Sequence, residues 1–195
     1  MVQNRVSTAD KILFSAIELM EKKGYNAITM KDIAEEAGIS EMTVFRYFKS
    51  KNNLLETALK RSSYELPMQD VFENKLNWDL EHDLFIIAKT YHRYMKQTKV
   101  LILVSIEVRD TMPEYLKHSA EGPKQFKKHL TEYFIKMQNK QKINATNAEI
   151  LADIFLTMNF GYYISSDISK SNILTTSEED FIENSIQMFT RNLKQ

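Results

Sequence analysis

The sequence predicts an all-α protein, on three observations. Only 4 glycines and 3 prolines occur among 195 residues, which leaves few tight turns. Apolar residues recur three and four positions apart through most of the chain. Near the N-terminus, Ser7 stands three positions before Asp10 and Thr29 three before Asp32, the spacing at which a hydroxyl and a carboxylate cap the first turn of a helix.

The elements follow in order. After Ser7, apolar residues at Ala9, Ile12, Leu13, Ala16, Ile17 and Met20 mark one face of a first helix, which Gly24 ends. Thr29 starts a second, carrying Met30, Ile33, Ala34 and Ala37 and stopping at Gly38. Ser40 caps a third from about Glu41 to Phe48. A fourth begins at Ser50 or Lys51, shows Leu54, Leu55, Ala58 and Leu66, and is closed by Pro67. Beyond a polar stretch to about Asn77, Leu80 through Met95 keep helical spacing. The run "VLILVSIEV" from Val100 suits a buried strand or a buried helix; with no partner strand visible, a helix is the better reading. Pro113 and "EGP" at 121–123 read as breaks. Three further helices are traced by Phe126 to Met137, by Leu151 to Tyr162 and by Phe181 to Leu193, which makes about nine in all.

A hydrophobic fraction of 43% and a charged fraction of 27% are those of an ordinary globular chain. The absence of cysteine excludes disulfides and thiolate chemistry. With neither a signal peptide nor a long apolar run, the expected location is the cytoplasm, with no membrane contact. His82, His92, His118 and His129 offer no i, i+4 pair and no accompanying nucleophile, so neither an enzyme nor a metal or other cofactor is expected. The 26 basic and 26 acidic side chains cancel, so any nucleic-acid binding must rest on a local arrangement.

Residues 30–49 offer one. Two short helices joined through Gly38, Ile39 and Ser40 make a helix-turn-helix if Ala34 is small enough for the crossing, Gly38 takes a positive φ and the branched Val44 plugs the gap. At about 100° per residue, Val44 and Phe48 of the second helix point inward and Met42 and Arg46 nearly opposite, with Thr43 and Tyr47 on one flank and Phe45 on the other. Arginine can donate to guanine, apolar groups can meet thymine methyls and hydroxyls can hold phosphate, as a major-groove helix requires.

The stretch "ITMKDIAEEAGISEMTVFRYFKSKNNLL", preceded by "MEKKGYN", resembles the DNA-binding domain of the TetR family of bacterial transcription regulators, over residues 7 to about 60. That resemblance implies an all-helical homodimer with a helix-turn-helix DNA-binding domain at residues 5–65 and a helical ligand-binding and dimerisation domain at 66–195. It places Thr29 and Lys31 at phosphate, Ser40, Met42, Thr43, Phe45, Arg46 and Tyr47 at or beside the groove, and Lys51 at phosphate. Glu41 and Met42 stand where the family often has a basic residue and a glycine, and Phe45 where it often has tyrosine. Phe45 cannot donate a hydrogen bond; Met42 either meets a thymine methyl or fills space.

In the second domain, Tyr91, Met95, Phe134, Met137 and Tyr162 are the candidates to line a pocket for an apolar or aromatic ligand. Phe155, Met158, Gly161, Phe181, Ile186 and Phe189 are the candidates for a dimer interface. The function expected is a repressor released from a palindromic operator by a small molecule; the alternative is an architectural or protein-interaction DNA-binding protein without such control.

Overall fold

The computed structural model describes residues 7–61, 65–169 and 173–193, and every regular element within them is helical. The all-α expectation holds and the expected count is close. Two helices beyond the expected nine, α5 and α8, are only six and seven residues long, which is why periodicity did not announce them.

Packing divides the chain into two compact units, Met1–Ser63 with Val100–Ser119, and Tyr64–Lys99 with Ala120–Gln195. The expected domains, 5–65 and 66–195, follow chain order, whereas packing groups Val100–Ser119 with the N-terminal helices. Residues 5 and 6, and residues 62–64 beside the expected boundary, lie outside the described residues.

The first unit contains α1 (Thr8–Lys23), α2 (Met30–Ala37), α3 (Glu41–Phe48), α4 (Lys51–Arg61), α7 (Lys99–Glu107, which enters the unit at Val100) and α8 (Pro113–Ser119). Ser7 and Thr29 each complete a capping box with the aspartate three positions on. Ser40 accepts from the Thr43 amide and Ser50 from that of Asn53, which starts α3 and α4. Ile12, Ala16, Ile33, Ala34, Val44, Leu54 and Leu55 form a core that Val100, Leu101, Val104, Val108 and Tyr115 complete. The apolar run is therefore helical over Lys99–Glu107, with Val100, Leu101 and Val104 buried in the core of this unit and Ile106 exposed.

The second unit contains α5 (Glu65–Asp70), which continues as a π turn at Val71–Lys75, then α6 (Leu80–Gln97), α9 (Glu121–Asn139), α10 (Ala148–Tyr163) with a π turn at Ile164–Ile168, and α11 (Glu178–Thr190). Two proline expectations change. Pro67 lies in the first turn of α5 instead of closing α4; the side chain of Leu66, expected on that fourth helix, lies outside the described residues. Pro123, expected in a break, occupies the third position of α9, where a backbone N–H would have no partner within the helix. Pro113 does follow a break and opens α8.

Buried Asp83 organises the entry to α6. Its carboxylate accepts from the amides of Asn77 and Trp78 at 2.9 and 3.0 Å and from the Tyr133 hydroxyl at 3.1 Å, and so holds Trp78 at φ 67° with its ring stacked on Tyr133. A second buried polar group, His92, hydrogen-bonds Asn159 at 3.0 Å and lies beside the rings of Tyr162 and Phe181; burial holds its imidazole below the ordinary value. Among the described residues no helix is long and apolar enough to cross a membrane.

Removing the Asp83 carboxylate leaves the part-buried amides of Asn77 and Trp78 and the buried hydroxyl of Tyr133 without their acceptor. Asp83→Ala is expected to destabilise the chain by about 3 kcal/mol in urea unfolding. An unchanged midpoint would mean that water replaces the carboxylate without cost.

Candidate nucleic-acid interface

The helix-turn-helix is built by one backbone event. Gly38 adopts φ 65° and ψ 36°, its amide reaches the Glu35 carbonyl at 3.1 Å, and the Ile39 amide reaches that of Ala34 at 3.0 Å. This pair of bonds is a Schellman cap, which satisfies the last carbonyls of α2 and turns the chain toward α3. A Cβ at Gly38 would meet nothing within 4 Å, so positive φ is the reason for glycine there, and crowding is not. Ala34 and Val44 are both buried in the first unit's core, in keeping with their expected places between α2 and α3.

With Val44 and Phe48 turned inward, α3 presents its other face to solvent. Met42 is 82% exposed, Tyr47 47% and Phe45 43%. Arg46 is exposed, its guanidinium 5.7 Å from the Tyr47 ring centre, and it makes no ion pair among the described residues. Thr43 is half-buried, with its hydroxyl 2.8 Å from that of Ser40, so part of its bonding capacity is used in the cap. Thr29 and Lys31 are exposed at the start of α2; Lys31 stands 3.9 Å from Glu35, a separation worth little between two exposed side chains. Glu35 and Glu36 are also exposed, and Glu41 sits in the first turn of α3, where the helix dipole favours a carboxylate.

Lys51 stands apart from the others. Its ammonium turns inward, donating to the carbonyls of Tyr25 at 2.8 Å and Ile28 at 2.7 Å and lying 4.3 Å from the Tyr25 ring centre. Burial pushes its pKa down, opposed by the charges of Glu107 and Asp32. Two of its three donors are thus occupied by the turn between α1 and α2, and one is left for the phosphate contact expected of it. Lysine at a helix start looks the same in sequence whether it faces phosphate or carbonyls.

In the second unit, the pocket candidates are packed core. Tyr91 stacks on Phe126 at 4.6 Å, Tyr162 stacks on Phe181 at 4.0 Å, and Phe134 lies against Tyr133 and Phe189. Met95 and Met137 are buried with them. None of the five lines the cavity of about 40 Å³ among Phe72, Leu76, Trp78, His129, Glu132, Tyr133 and Lys136.

The dimer candidates divide. Phe155 and Ile186 are buried within their own chain. Met158, Phe181 and Phe189 are half-buried, while Gly161 is exposed. The apolar groups that do face outward are Ile150, Ile154 and Phe160 on α10 and Met188 on α11. The missed signal was helical phase: 150, 154 and 161 fall on one stripe of α10, turned about 100° from the buried stripe of 151, 155 and 162.

The sequence model of the bacterial regulatory proteins, tetR family, matches residues 12–58. The HTH-type transcriptional regulator YvkB of Bacillus subtilis, itself uncharacterised, is 31% identical over 95% of this chain and 97% of its own. IcaR of Staphylococcus aureus, a negative transcriptional regulator of the icaADBC biofilm operon, is 24% identical over 88% of this chain and 91% of its own. The crystal structure of AibR in complex with isovaleryl coenzyme A and operator DNA superimposes with a TM-score of 0.71 over 93% of this chain and 97% of its own; at 17% identity that likeness shows the fold.

Replacing Lys51 by methionine, which keeps the stem and removes the ammonium, is expected to cost about 1–2 kcal/mol of stability by leaving two carbonyls without their donor. Thermal unfolding checks it. A melting temperature equal to that of the parent chain would show that the inward bonds are incidental.

Proposed function

Because the chain belongs to the tetR family of bacterial regulatory proteins and is a DNA-binding transcription regulator, we propose that it is a homodimeric repressor of a palindromic operator, released by a small apolar or aromatic ligand. The observation that carries the DNA part is the outer face of α3, where Met42, Phe45, Arg46 and Tyr47 stand exposed on a helix whose inner face is fixed by Val44 and Phe48. A methionine at 82% exposure has no packing role, whereas beside Arg46 it supplies a methyl-contacting surface next to a guanine-reading fork. Thr29, Lys31, Ser40 and Thr43 would hold phosphate at the edges of the groove. The first 65 residues carry 10 basic and 9 acidic side chains, so general attraction to DNA is weak and discrimination falls to those few groups.

A single eight-residue reading helix is too small for tight specific binding, which favours two copies on two half-sites. The outward stripe of Ile150, Ile154 and Gly161 on α10, with the exposed Phe160 of the same helix and Met188 of α11, is the surface we assign to that pairing. Repression has its support in IcaR, a negative regulator similar along most of the chain. Control by a small molecule has its support in AibR, which shares the fold and is seen with an acyl coenzyme A and operator DNA together. The packed state of Tyr91, Phe134 and Tyr162 favours a second reading, a DNA-binding protein of architectural type without small-molecule control, because a ligand entering there would have to part packed rings.

Three measurements test these readings. Using a duplex enriched from a random pool by the parent protein, Arg46→Ala is expected to lose about 1–3 kcal/mol of affinity for that duplex and much less for random DNA. Equal losses on both would remove the reading role. Ile154→Glu is expected to convert dimer to monomer in sedimentation and to lower duplex affinity with it. A dimer that survives would place the interface elsewhere. Screening apolar and aromatic compounds for release of the bound duplex decides the ligand question: binders that leave DNA affinity unchanged favour the second reading.

A further inference from the structure

The turn between α1 and α2, residues 24–28, is held on three sides within the first unit. Lys51 bonds its carbonyls, as above, and Asn52 accepts from the Tyr25 hydroxyl at 2.6 Å. Its amides are taken by a residue distant in sequence. One oxygen of Glu107 accepts from the Tyr25 N–H at 2.9 Å and the other from the Asn26 N–H at 2.8 Å. Gly24, at φ 82°, lies close enough that a Cβ there would sit 3.4 Å from the same carboxylate.

Glu107 is the last residue of α7, where the helix dipole disfavours negative charge. A carboxylate in that place is poor for its own helix, and its binding is spent on the turn. The turn leads directly into Thr29 and Lys31, the N-cap and first-turn residues of α2, and so sets how α2 and, through Gly38, α3 are presented. The Lys51 ammonium feels the charge of Glu107 as well, so the turn is clamped between an anion on its amides and a cation on its carbonyls.

We propose that Glu107 is a positioning residue for DNA binding: it contributes no contact to DNA, and its bidentate grip on the Tyr25 and Asn26 amides fixes the orientation of the helix-turn-helix. The proposal rests on the DNA-binding reading of α3. It also gives α7 a defined role, as the element from the second half of the chain that holds the reading helices. Thr98 alone separates α7 from α6, so the grip lies on a short covalent path from the remaining helices.

The test uses the full-length chain, the duplex enriched by the parent protein, and the variants Glu107→Ala and Glu107→Gln. Glu107→Ala is expected to speed hydrogen exchange at the Tyr25 and Asn26 amides, to weaken duplex binding about three- to tenfold, and to leave the salt dependence of binding unchanged, since no phosphate contact is lost. Glu107→Gln, which keeps one acceptor oxygen, is expected to fall between alanine and the parent in both exchange and affinity. Parent-like affinity in Glu107→Ala, with the parent binding its duplex, overturns this proposal alone. A reduced salt slope overturns it too, by placing Glu107 in the ionic interface. A parent chain that enriches no duplex overturns the DNA-binding reading and this proposal together.

Discussion

One residue in the left-handed region sets the geometry on which function depends. Without Gly38 at positive φ, residues 30–48 could continue as one helix, and Val44 could not fold back toward Ala34. The Schellman bonds at Glu35 and Ala34 make the turn short, the Ser40 cap restarts the helix at once, and the burial of Val44 and Phe48 fixes its rotation. That rotation leaves Met42, Phe45, Arg46 and Tyr47 outward as a consequence of which side chains are buried. The surface available to DNA is thus dictated by the core beneath it.

The same unit shows how little of its rigidity is local. The first three helices bury a common apolar core, yet α7, the turn after it and α8 supply Val104, Val108 and Tyr115 to it, and Glu107 and Lys51 between them engage amides and carbonyls of the turn at 24–28. A region that looks self-contained along the chain is completed by residues about 80 positions away, as the Tyr25–Glu107 bond makes plain.

Local signals were legible. Capping residues named the starts of α1, α2 and α3, and Gly24 and Gly38 named the ends of the first two, because these are interactions among neighbours in sequence. The exposed face of α3 was legible for the same reason, since burial of Val44 fixes its phase. What was not legible depended on partners elsewhere. The lysine at 51 carries one sequence signature for two roles, and its bonds to the carbonyls of Tyr25 and Ile28 appear only in the folded chain. Phe155 and Ile186 were expected outward by composition, whereas the side of each helix that faces the chain's own core is set by the neighbouring helices. Glu107 gave no sequence signal beyond its awkward place at the end of an apolar run.

The function assigned to α3 can be observed by chemical-shift mapping. Isotope-labelled protein is titrated with a duplex it has enriched from a random pool, and amide and methyl shifts are followed through the first unit. Large shifts at Met42, Phe45, Arg46 and Tyr47, with smaller ones at Thr29 and Lys31, are the expected result. Shifts confined to other surfaces, with α3 unchanged at saturation, would contradict the reading of this helix as the one that meets DNA.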